Sequence, residues 1–167
     1  MRQRMNETKD LLKEGFVSFF FLGRAPLAPG TFGTLGALTL AYLVSENIDG
    51  LAGGGLLLGI GATVYYLGVH IAPWCEEKYG KDPGIYVIDE VIGYLITISF
   101  LIILKVEITN FIWMLTFILF RIFDVLKIWP AKDLENIEGG HGIILDDIAA
   151  GFQTLIFVLL LHQFDLI

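Results

Sequence analysis

Two pairs of adjacent acidic residues, Asp89-Glu90 and Asp146-Asp147, each lie at the start of a long apolar run in this chain. A charged side chain in hydrocarbon costs at least ~2.5–3.5 kcal/mol even on the lenient insertion scale. Four carboxylates at such positions therefore need a compensating partner. Hard divalent cations take oxygen ligands and gather carboxylates, so we predict that the two pairs bind a divalent metal ion. The alternative interpretation is that the helix dipole alone favours acids at a helix start.

Basic and hydroxyl side chains near these pairs indicate that the ion would hold a phosphate group. In the segment 23–34, Gly30 lacks a side chain, so backbone amides of the following helix can approach a phosphate closely. Thr31 and Thr34 can cap that helix or donate hydrogen bonds. An ordinary Pro/Gly turn before a helix is the alternative. The basic residues near the pairs are Arg24, Arg121, Lys127 and Lys132.

A third segment carries charged residues at helical spacing. Arg121, Asp124 and Lys127 follow one another at intervals of three residues. In a helix of 3.6 residues per turn, this spacing confines them to one face. They are candidates for phosphate binding, and the alternative is a solvated or snorkelling stripe.

Glycine follows each acidic pair by one helical turn. Gly93 lies four residues after Asp89, and Gly151 lies four residues after Asp147. We expect both glycines to leave room beside the carboxylates. His141, flanked by glycines, is the one histidine close enough in sequence to the second acidic pair to reach the site.

The elements that must position these residues are apolar helices. Of the 167 residues, 55% are hydrophobic and 17% are charged, whereas typical soluble domains are ~45–50% apolar and ~25% charged. The stretch 51–72 carries no formal charge and is long enough to cross a hydrocarbon core of ~30 Å. The net charge of −7 argues against nucleic acid as a partner. The five apolar stretches are 30–44, 51–72, 91–104, 108–120 and 143–161.

This pattern predicts an all-α protein, a compact helical bundle that is integral to a membrane with about five membrane-embedded helices. Residues 1–15 are expected to be a polar cytoplasmic N-terminal segment without a signal peptide, and residues 16–167 a single domain. A soluble bundle with buried helices is the alternative.

The distribution of lysine and arginine orients the predicted helices. With the N-terminus inside, only Lys105 of the 11 basic residues falls in an outer segment, as the positive-inside rule requires. The first, third and fifth helices then begin on the same cytoplasmic face. Their N–H groups and positive dipole ends converge there beside carboxylates and arginines, which describes a site for an anion and a metal ion.

Several short motifs recur in order along most of the chain. They are LGRAP at 22–26, APGTFGT at 28–34, DPG at 82–84, VIDEVIG at 87–93, FR at 120–121, FD at 123–124 with Lys127, GGHGI at 139–143, and DD at 146–147 with Gly151. Over residues 16–160, these motifs resemble those of the phosphatidylglycerophosphatase A family. Ile128 and Ile144 depart from the family pattern, but neither replaces a reactive group.

The resemblance implies an all-helical, Mg²⁺-dependent lipid phosphatase that converts phosphatidylglycerophosphate to phosphatidylglycerol, in a bacterial-type cytoplasmic membrane with its site on the cytoplasmic face. Asp89, Glu90, Asp146 and Asp147 would then hold Mg²⁺. Arg24 and Arg121, with the amides after Gly30, would neutralise the phosphoryl oxygens. Asp124 would orient Arg121 or donate a proton to the glycerol oxygen. The phosphate-binding residues expected are Arg24, Gly30, Thr31, Thr34, Arg121 and Lys127.

Several alternatives stay open at the level of sequence. The nucleophile is either water or an aspartate, and the exact metal ligands, the acyl-chain preference and the oligomeric state are not determined. A membrane phosphatase for another phospholipid or an isoprenoid phosphate is a second hypothesis. An ion-coupled transporter is a third, although it would place acids near the bilayer midplane rather than at one rim.

Overall fold

The computed structural model describes residues 2–167, with side chains from residue 6 onward, so Met1 and the side chains of Arg2 and Arg4 in the predicted N-terminal segment lie outside the described residues. All the regular secondary structure among the described residues is helical, which confirms the predicted all-α class. The elements are α1 (Arg2–Val17), a 3-10 helix (Leu22–Arg24), α2 (Pro29–Ser45), α3 (Gly50–Tyr79), α4 (Ile88–Ile103), α5 (Asn110–Leu126), α6 (Ala131–Leu134) and α7 (Gly140–Gln163). The five apolar stretches correspond to α2, α3, α4, α5 and α7.

Helix α4 is the centre of the bundle and packs against α2, α3, α5 and α7. Its side chains are apolar around most of the helix, and Tyr94, Leu95 and Ile98 are fully buried. Full burial of a large apolar side chain stabilises the fold by ~1.5–3 kcal/mol. The Tyr94 hydroxyl lies 3.1 Å from Thr116 Oγ1, so its polar end is also satisfied inside the core.

Two glycines let α4 and α7 cross in backbone contact. A Cβ atom on Gly93 would lie 2.4 Å from the carbonyl oxygen of Asp147, and one on Gly151 would lie 2.3 Å from the carbonyl oxygen of Gly93. The Thr97 hydroxyl joins the helices by donating to the Gly151 carbonyl at 2.8 Å. The expectation that these glycines leave room beside the carboxylates is therefore wrong, because the backbone of the neighbouring helix fills that space.

Helix length limits how many elements can be identified as membrane spans. Among the described residues, α3 with 30 residues and α7 with 24 are long and apolar enough to cross a bilayer. Helices α2, α4 and α5 have 17, 16 and 17 residues, which corresponds to ~25 Å at a rise of 1.5 Å per residue. The structure therefore gives two candidate spans, where the sequence predicted about five.

The predicted polar segment is a helix, and α1 continues across the boundary expected after residue 15. It is attached to the C-terminal end of α3 by polar side chains. Trp74 Nε1 donates to Asp10 Oδ1 at 3.1 Å, and the Tyr79 hydroxyl donates to Glu14 Oε2 at 2.7 Å. The N-terminal segment is therefore part of the folded structure.

Gly54 is a glycine at which α3 packs closely against α4. A Cβ atom on Gly54 would lie 2.6 Å from Ile103 Cγ1 of α4. The neighbouring Gly55 and Gly59 have the spacing typical of close helix packing, but a Cβ atom on either would meet nothing within 4 Å among the described residues. One residue along a helix rotates the side chain by ~100°, and this rotation separates the two faces.

We expect Gly151→Ala to destabilise the protein, because its methyl group would force α4 and α7 apart. Overpacking of this kind typically costs ~1–3 kcal/mol, measured as a lower unfolding temperature of the purified protein in detergent. Gly59→Ala is the matched control, since it adds the same methyl group in open space and gains up to ~1 kcal/mol of helix propensity. Equal stability of the two variants would contradict the role assigned to the crossing.

Candidate active site

One end of the bundle encloses a polar cavity of about 200 Å³. Helices α2, α4 and α7 begin at this cavity and α5 ends there, so the predicted convergence of three helix N-termini is confirmed. The loop between α3 and α4 closes one side. The cavity is lined by Pro29, Gly30, Asp82, Pro83, Gly84, Tyr86, Asp89, Glu90, Asp124, Lys127, Ile143, Asp146 and Asp147.

Three of the four predicted metal-binding carboxylates form a cluster in this cavity. Oxygen atoms of Asp89, Glu90 and Asp147 all lie within 4.8 Å of one another. Asp89 and Asp147 are buried. Glu90 Oε2 is also buried and has no hydrogen-bond partner among the described residues. We refer to these three residues as the carboxylate cluster.

The crossing of α4 and α7 accounts for the cluster. Asp89 lies one turn before Gly93 in α4, and Asp147 lies one turn before Gly151 in α7. Because the backbones touch at the glycines, the preceding turns are held side by side. The Asp89 side chain also accepts a hydrogen bond from the Glu90 backbone N–H at 2.9 Å, which fixes its orientation at the start of α4.

Gly30 provides the space that Glu90 occupies. A Cβ atom at this position would lie 1.8 Å from Glu90 Oε1, so any other residue would displace the carboxylate. Thr34, one turn later, donates from its hydroxyl to the Gly30 carbonyl at 2.9 Å and accepts a hydrogen bond from Arg121 at 3.4 Å. Both residues therefore lie beside the cluster, and their predicted contact with phosphate stays a prediction.

Arg121 is the cation nearest to the carboxylate cluster. Its Nη1 atom lies 3.4 Å from Glu90 Oε1 and 2.6 Å from Asp124 Oδ2. Asp124 lies three residues after Arg121 on α5, and their ion pair agrees with the prediction that the two residues share one face of the helix. Asp124 therefore pairs with the guanidinium group beside the cluster, and the two roles expected for it stay predictions.

Asp146 lies on the cavity wall, but it pairs with Lys127. Lys127 Nζ is 2.9 Å from Asp146 Oδ2 and 2.6 Å from Glu135 Oε1. Burial of the Lys127 ammonium lowers its pKa, but hydrogen bonds to these two carboxylates and their negative charges outweigh this effect and raise the pKa above its ordinary value. Lys127 therefore stays protonated in the site. Asp146 is outside the three-residue cluster, and its role as a metal ligand stays a prediction.

Arg24 lies apart from the residues that line the cavity. Its Nε atom donates to Glu14 Oε1 at 2.7 Å, and Glu14 also accepts from Tyr79. The Tyr79 hydrogen bond, together with the bonds and charge of Arg24, outweighs burial and holds the pKa of Glu14 below its ordinary value. The predicted contact of Arg24 with phosphate is not tested by this arrangement.

Two further residues from the sequence analysis face other surroundings. Thr31 lines an apolar groove between α2 and α5 rather than the polar cavity. His141 Nδ1 lies 2.7 Å from the Tyr65 hydroxyl of α3, and His141 is not among the residues that line the cavity. The structure therefore does not bring His141 to the carboxylate cluster.

Sequence reasoning missed three residues of this region. Tyr86 lines the cavity, and its buried hydroxyl has no hydrogen-bond partner among the described residues. Burial raises the pKa of this hydroxyl, so it is available as a donor. Its place between Asp82 and Asp89, inside a conspicuous motif, was a usable signal. Glu135 and Glu14 lie in irregular or polar sequence, where no periodicity indicates their partners.

Comparison with known proteins gives a consistent result. The sequence model of the family described as Phosphatidylglycerophosphatase A matches residues 15–162. Phosphatidylglycerophosphatase A of Escherichia coli is 34% identical over 157 residues, covering 90% of this chain and 81% of the relative. The protein of the same name from Haemophilus influenzae is 32% identical over 151 residues, covering 89% and 85%.

A third relative has a different name. A protein of Bacteroides thetaiotaomicron, provisionally named as a phosphatidylinositol-3-phosphatase, is 32% identical over 154 residues, covering 89% of both chains. No solved structure matches this chain. The family match spans most of the sequence and includes every residue of the carboxylate cluster, so this chain belongs to the phosphatidylglycerophosphatase A family.

Proposed function

We propose that this protein is a membrane lipid phosphatase that hydrolyses phosphatidylglycerophosphate to phosphatidylglycerol and inorganic phosphate. The observation that carries the proposal is the carboxylate cluster, with Arg121 beside it, in a cavity at one end of an apolar bundle. Membership of the family and the names of two relatives support the reaction and the substrate.

The carboxylate cluster fits a divalent cation of the Mg²⁺ type. Three acids lie within 4.8 Å of one another, and the buried Glu90 Oε2 atom lacks a partner among the described residues. Hard cations prefer such oxygen donors. Asp89, Glu90 and Asp147 would hold the ion, with Asp146 as the predicted fourth acid. When bound, Mg²⁺ would polarise the phosphoryl oxygens and lower the pKa of a coordinated water.

The protein's own cations would bind and orient the substrate phosphate. Arg121, fixed by Asp124, would neutralise non-bridging oxygens as charge develops. Lys127 stays protonated and lies on the same cavity wall. The N-terminal ends of α2, α4 and α7 lie at the cavity, and their positive dipole ends would favour a bound anion.

We further propose that α2, α3, α4, α5 and α7 are all embedded in a bacterial-type cytoplasmic membrane, with the cavity on the cytoplasmic side. The basic residues support this orientation, since only Lys105 falls in an outer segment. Exposed large apolar side chains on the outer helices support burial in lipid, because soluble proteins rarely expose contiguous apolar surface. Those on α2, α5 and α7 include Leu35, Leu43, Phe111, Met114, Ile118, Ile156 and Leu160.

A second candidate substrate is another phospholipid that ends in a phosphomonoester. The name of the Bacteroides relative favours this possibility. The contacts described above would bind the phosphate rather than the rest of the head group, so they suit either lipid. The transporter hypothesis is less favoured, because the acids lie toward one end of the bundle, in the first turn of α4 and about two turns into α7, whereas a transporter would place acids near the bilayer midplane.

Hydrolysis should be specific for phosphatidylglycerophosphate and depend on the carboxylate cluster. We expect the purified protein to release phosphate faster from this lipid than from phosphatidic acid, phosphatidylinositol phosphates or isoprenoid phosphates.

Asp147→Asn should lower kcat by at least about a hundredfold, as expected when a group that stabilises the transition state is lost. Glu107→Gln is the control, since it removes a charge at the far end of the bundle. Preference for another lipid would contradict the substrate assignment, and normal turnover by Asp147→Asn would contradict the site.

Removal of divalent cations should abolish activity. Excess EDTA leaves the carboxylates uncompensated, so they would repel the substrate phosphate, and added Mg²⁺ should restore hydrolysis. Mg²⁺ should also raise the unfolding temperature of the wild type, because a ligand that binds only the folded state stabilises it. Asp89→Asn should lose most of this shift. Full activity in excess chelator would exclude the metal hypothesis.

Single cysteines should report the orientation of the bundle. In a Cys75→Ser background, cysteines at Glu46 and Glu107 should react with an impermeant thiol reagent added outside intact cells. Cysteines at Lys81 and Asp133 should react only after the cells are permeabilised. Labelling of Lys81 and Asp133 positions from outside would place the cavity on the wrong face for a cytoplasmic substrate.

A further inference from the structure

An apolar groove of about 530 Å³ runs between α2 and α5 on the outside of the bundle. Its α5 wall includes residues at helical spacing, namely Ile118, Arg121, Ile122 and Val125. Ile118, Ile122 and Val125 are 46%, 44% and 69% exposed. The groove is shallow and open to the surroundings, and an exposed apolar surface of this kind is typical of a binding site or a lipid contact.

The groove is continuous with the candidate active site. Arg121 lines the groove, while its Nη1 atom contacts Glu90 and Asp124 beside the cavity. On the facing helix, Thr31 lines the groove and its neighbour Gly30 lines the cavity. One arginine and two consecutive residues of α2 thus form the boundary between a polar cavity and an apolar groove.

We infer that this groove holds an acyl chain of the lipid substrate, which enters sideways from the bilayer between α2 and α5. This inference rests on the proposed function. An apolar slot with a single guanidinium group and a hydroxyl group at one end is complementary to an amphiphile with an anionic head. With the chain in the groove, the phosphate of the same molecule lies toward Arg121 and the carboxylate cluster.

A larger apolar groove on another side of the bundle lacks these features. It has about 810 Å³ and lies between α1, α2 and α3, with Phe16, Leu40, Leu43 and Val64 among its walls. None of the residues that line it carries a charge. The guanidinium group of Arg24 lies 4.7 Å from the ring of Phe21, which lines this groove, but Arg24 is paired with Glu14. This cation is therefore held by Glu14, whereas Arg121 contacts Glu90 of the carboxylate cluster.

Substitution by tryptophan in each groove tests which of the two grooves binds the acyl chain. Ile118→Trp blocks the α2–α5 groove, and Leu43→Trp is the matched control in the larger groove, where Leu43 is 56% exposed. We expect Ile118→Trp to lower kcat/KM for long-chain phosphatidylglycerophosphate by at least about tenfold, which corresponds to ~1.4 kcal/mol. Hydrolysis of a water-soluble short-chain analogue should be unchanged, and Leu43→Trp should leave both substrates unaffected. Val125→Trp replaces Ile118→Trp if the latter does not fold.

Equal losses with both substrates would overturn the inference, because they would indicate damage around Arg121 rather than a blocked chain. A selective loss in Leu43→Trp would also overturn it and assign the chain to the larger groove. If the wild type hydrolyses neither substrate, the proposed function itself fails. These results are therefore distinguishable from one another.

Photolabelling tests the groove independently of hydrolysis. Phosphatidylglycerol with a diazirine in one acyl chain should label residues 117–126 preferentially in nanodiscs, and phosphatidylcholine with the same group should label the outer helices evenly. Even labelling by both lipids would overturn the inference. So would rapid disulfide formation between two Ile118→Cys chains in the Cys75→Ser background, since the groove would then be covered by a second copy.

Discussion

The backbone contact between α4 and α7 is the constraint on which the site depends. Only glycine at Gly93 and Gly151 allows the two helices to approach this closely, since a methyl group at either position would overlap a carbonyl oxygen. The contact lies one turn beyond the two acidic pairs. It therefore holds carboxylates from helices more than fifty residues apart in sequence within a few ångströms of each other, without relying on a flexible loop.

The same geometry creates an electrostatic problem inside an apolar bundle. Three carboxylates share one cavity, and like charges at this distance repel strongly where the dielectric constant is low. The fold compensates with the N-terminal dipoles of α2, α4 and α7, with Arg121 at Glu90, and with Lys127 at Asp146. The unpartnered oxygen of Glu90 shows that this compensation is incomplete within the described residues. Functional sites commonly retain such unfavourable interactions because binding relieves them.

Sequence patterns predicted the helices and their common face better than they predicted individual contacts. Hydrophobic runs and the distribution of basic residues were sufficient to bring Asp89, Glu90 and Asp147 to the same end. They were not sufficient to separate Asp146 from Asp147, because adjacent residues on a helix point ~100° apart and only the position of Lys127 decides which one faces it.

Contacts made by irregular or polar segments were also beyond sequence reasoning. The contacts of Glu14 with Arg24 and Tyr79 depend on the turn that follows α1 and on the packing of α1 against α3, and no periodicity in a polar segment indicates either. The number of membrane spans could not be fixed from sequence either, since an apolar stretch indicates burial but does not distinguish protein from lipid as the surroundings; by length and composition, two helices among the described residues are candidate spans. Helix α4 shows the difference, because its apolar side chains are covered largely by the other helices.

In the proposed membrane arrangement, the unequal lengths of the helices would affect the surrounding bilayer. Helix α3 has 30 residues and would extend ~15 Å beyond a hydrocarbon core of ~30 Å, whereas α2 and α5, with 17 residues each, fall ~5 Å short. Hydrophobic mismatch of this sign is relieved when the bilayer thins beside the short helices. Thinning on the α2–α5 side would bring lipid head groups closer to the bilayer centre at the edge of the groove. The short helices would thereby shorten the distance between a substrate phosphate and Arg121.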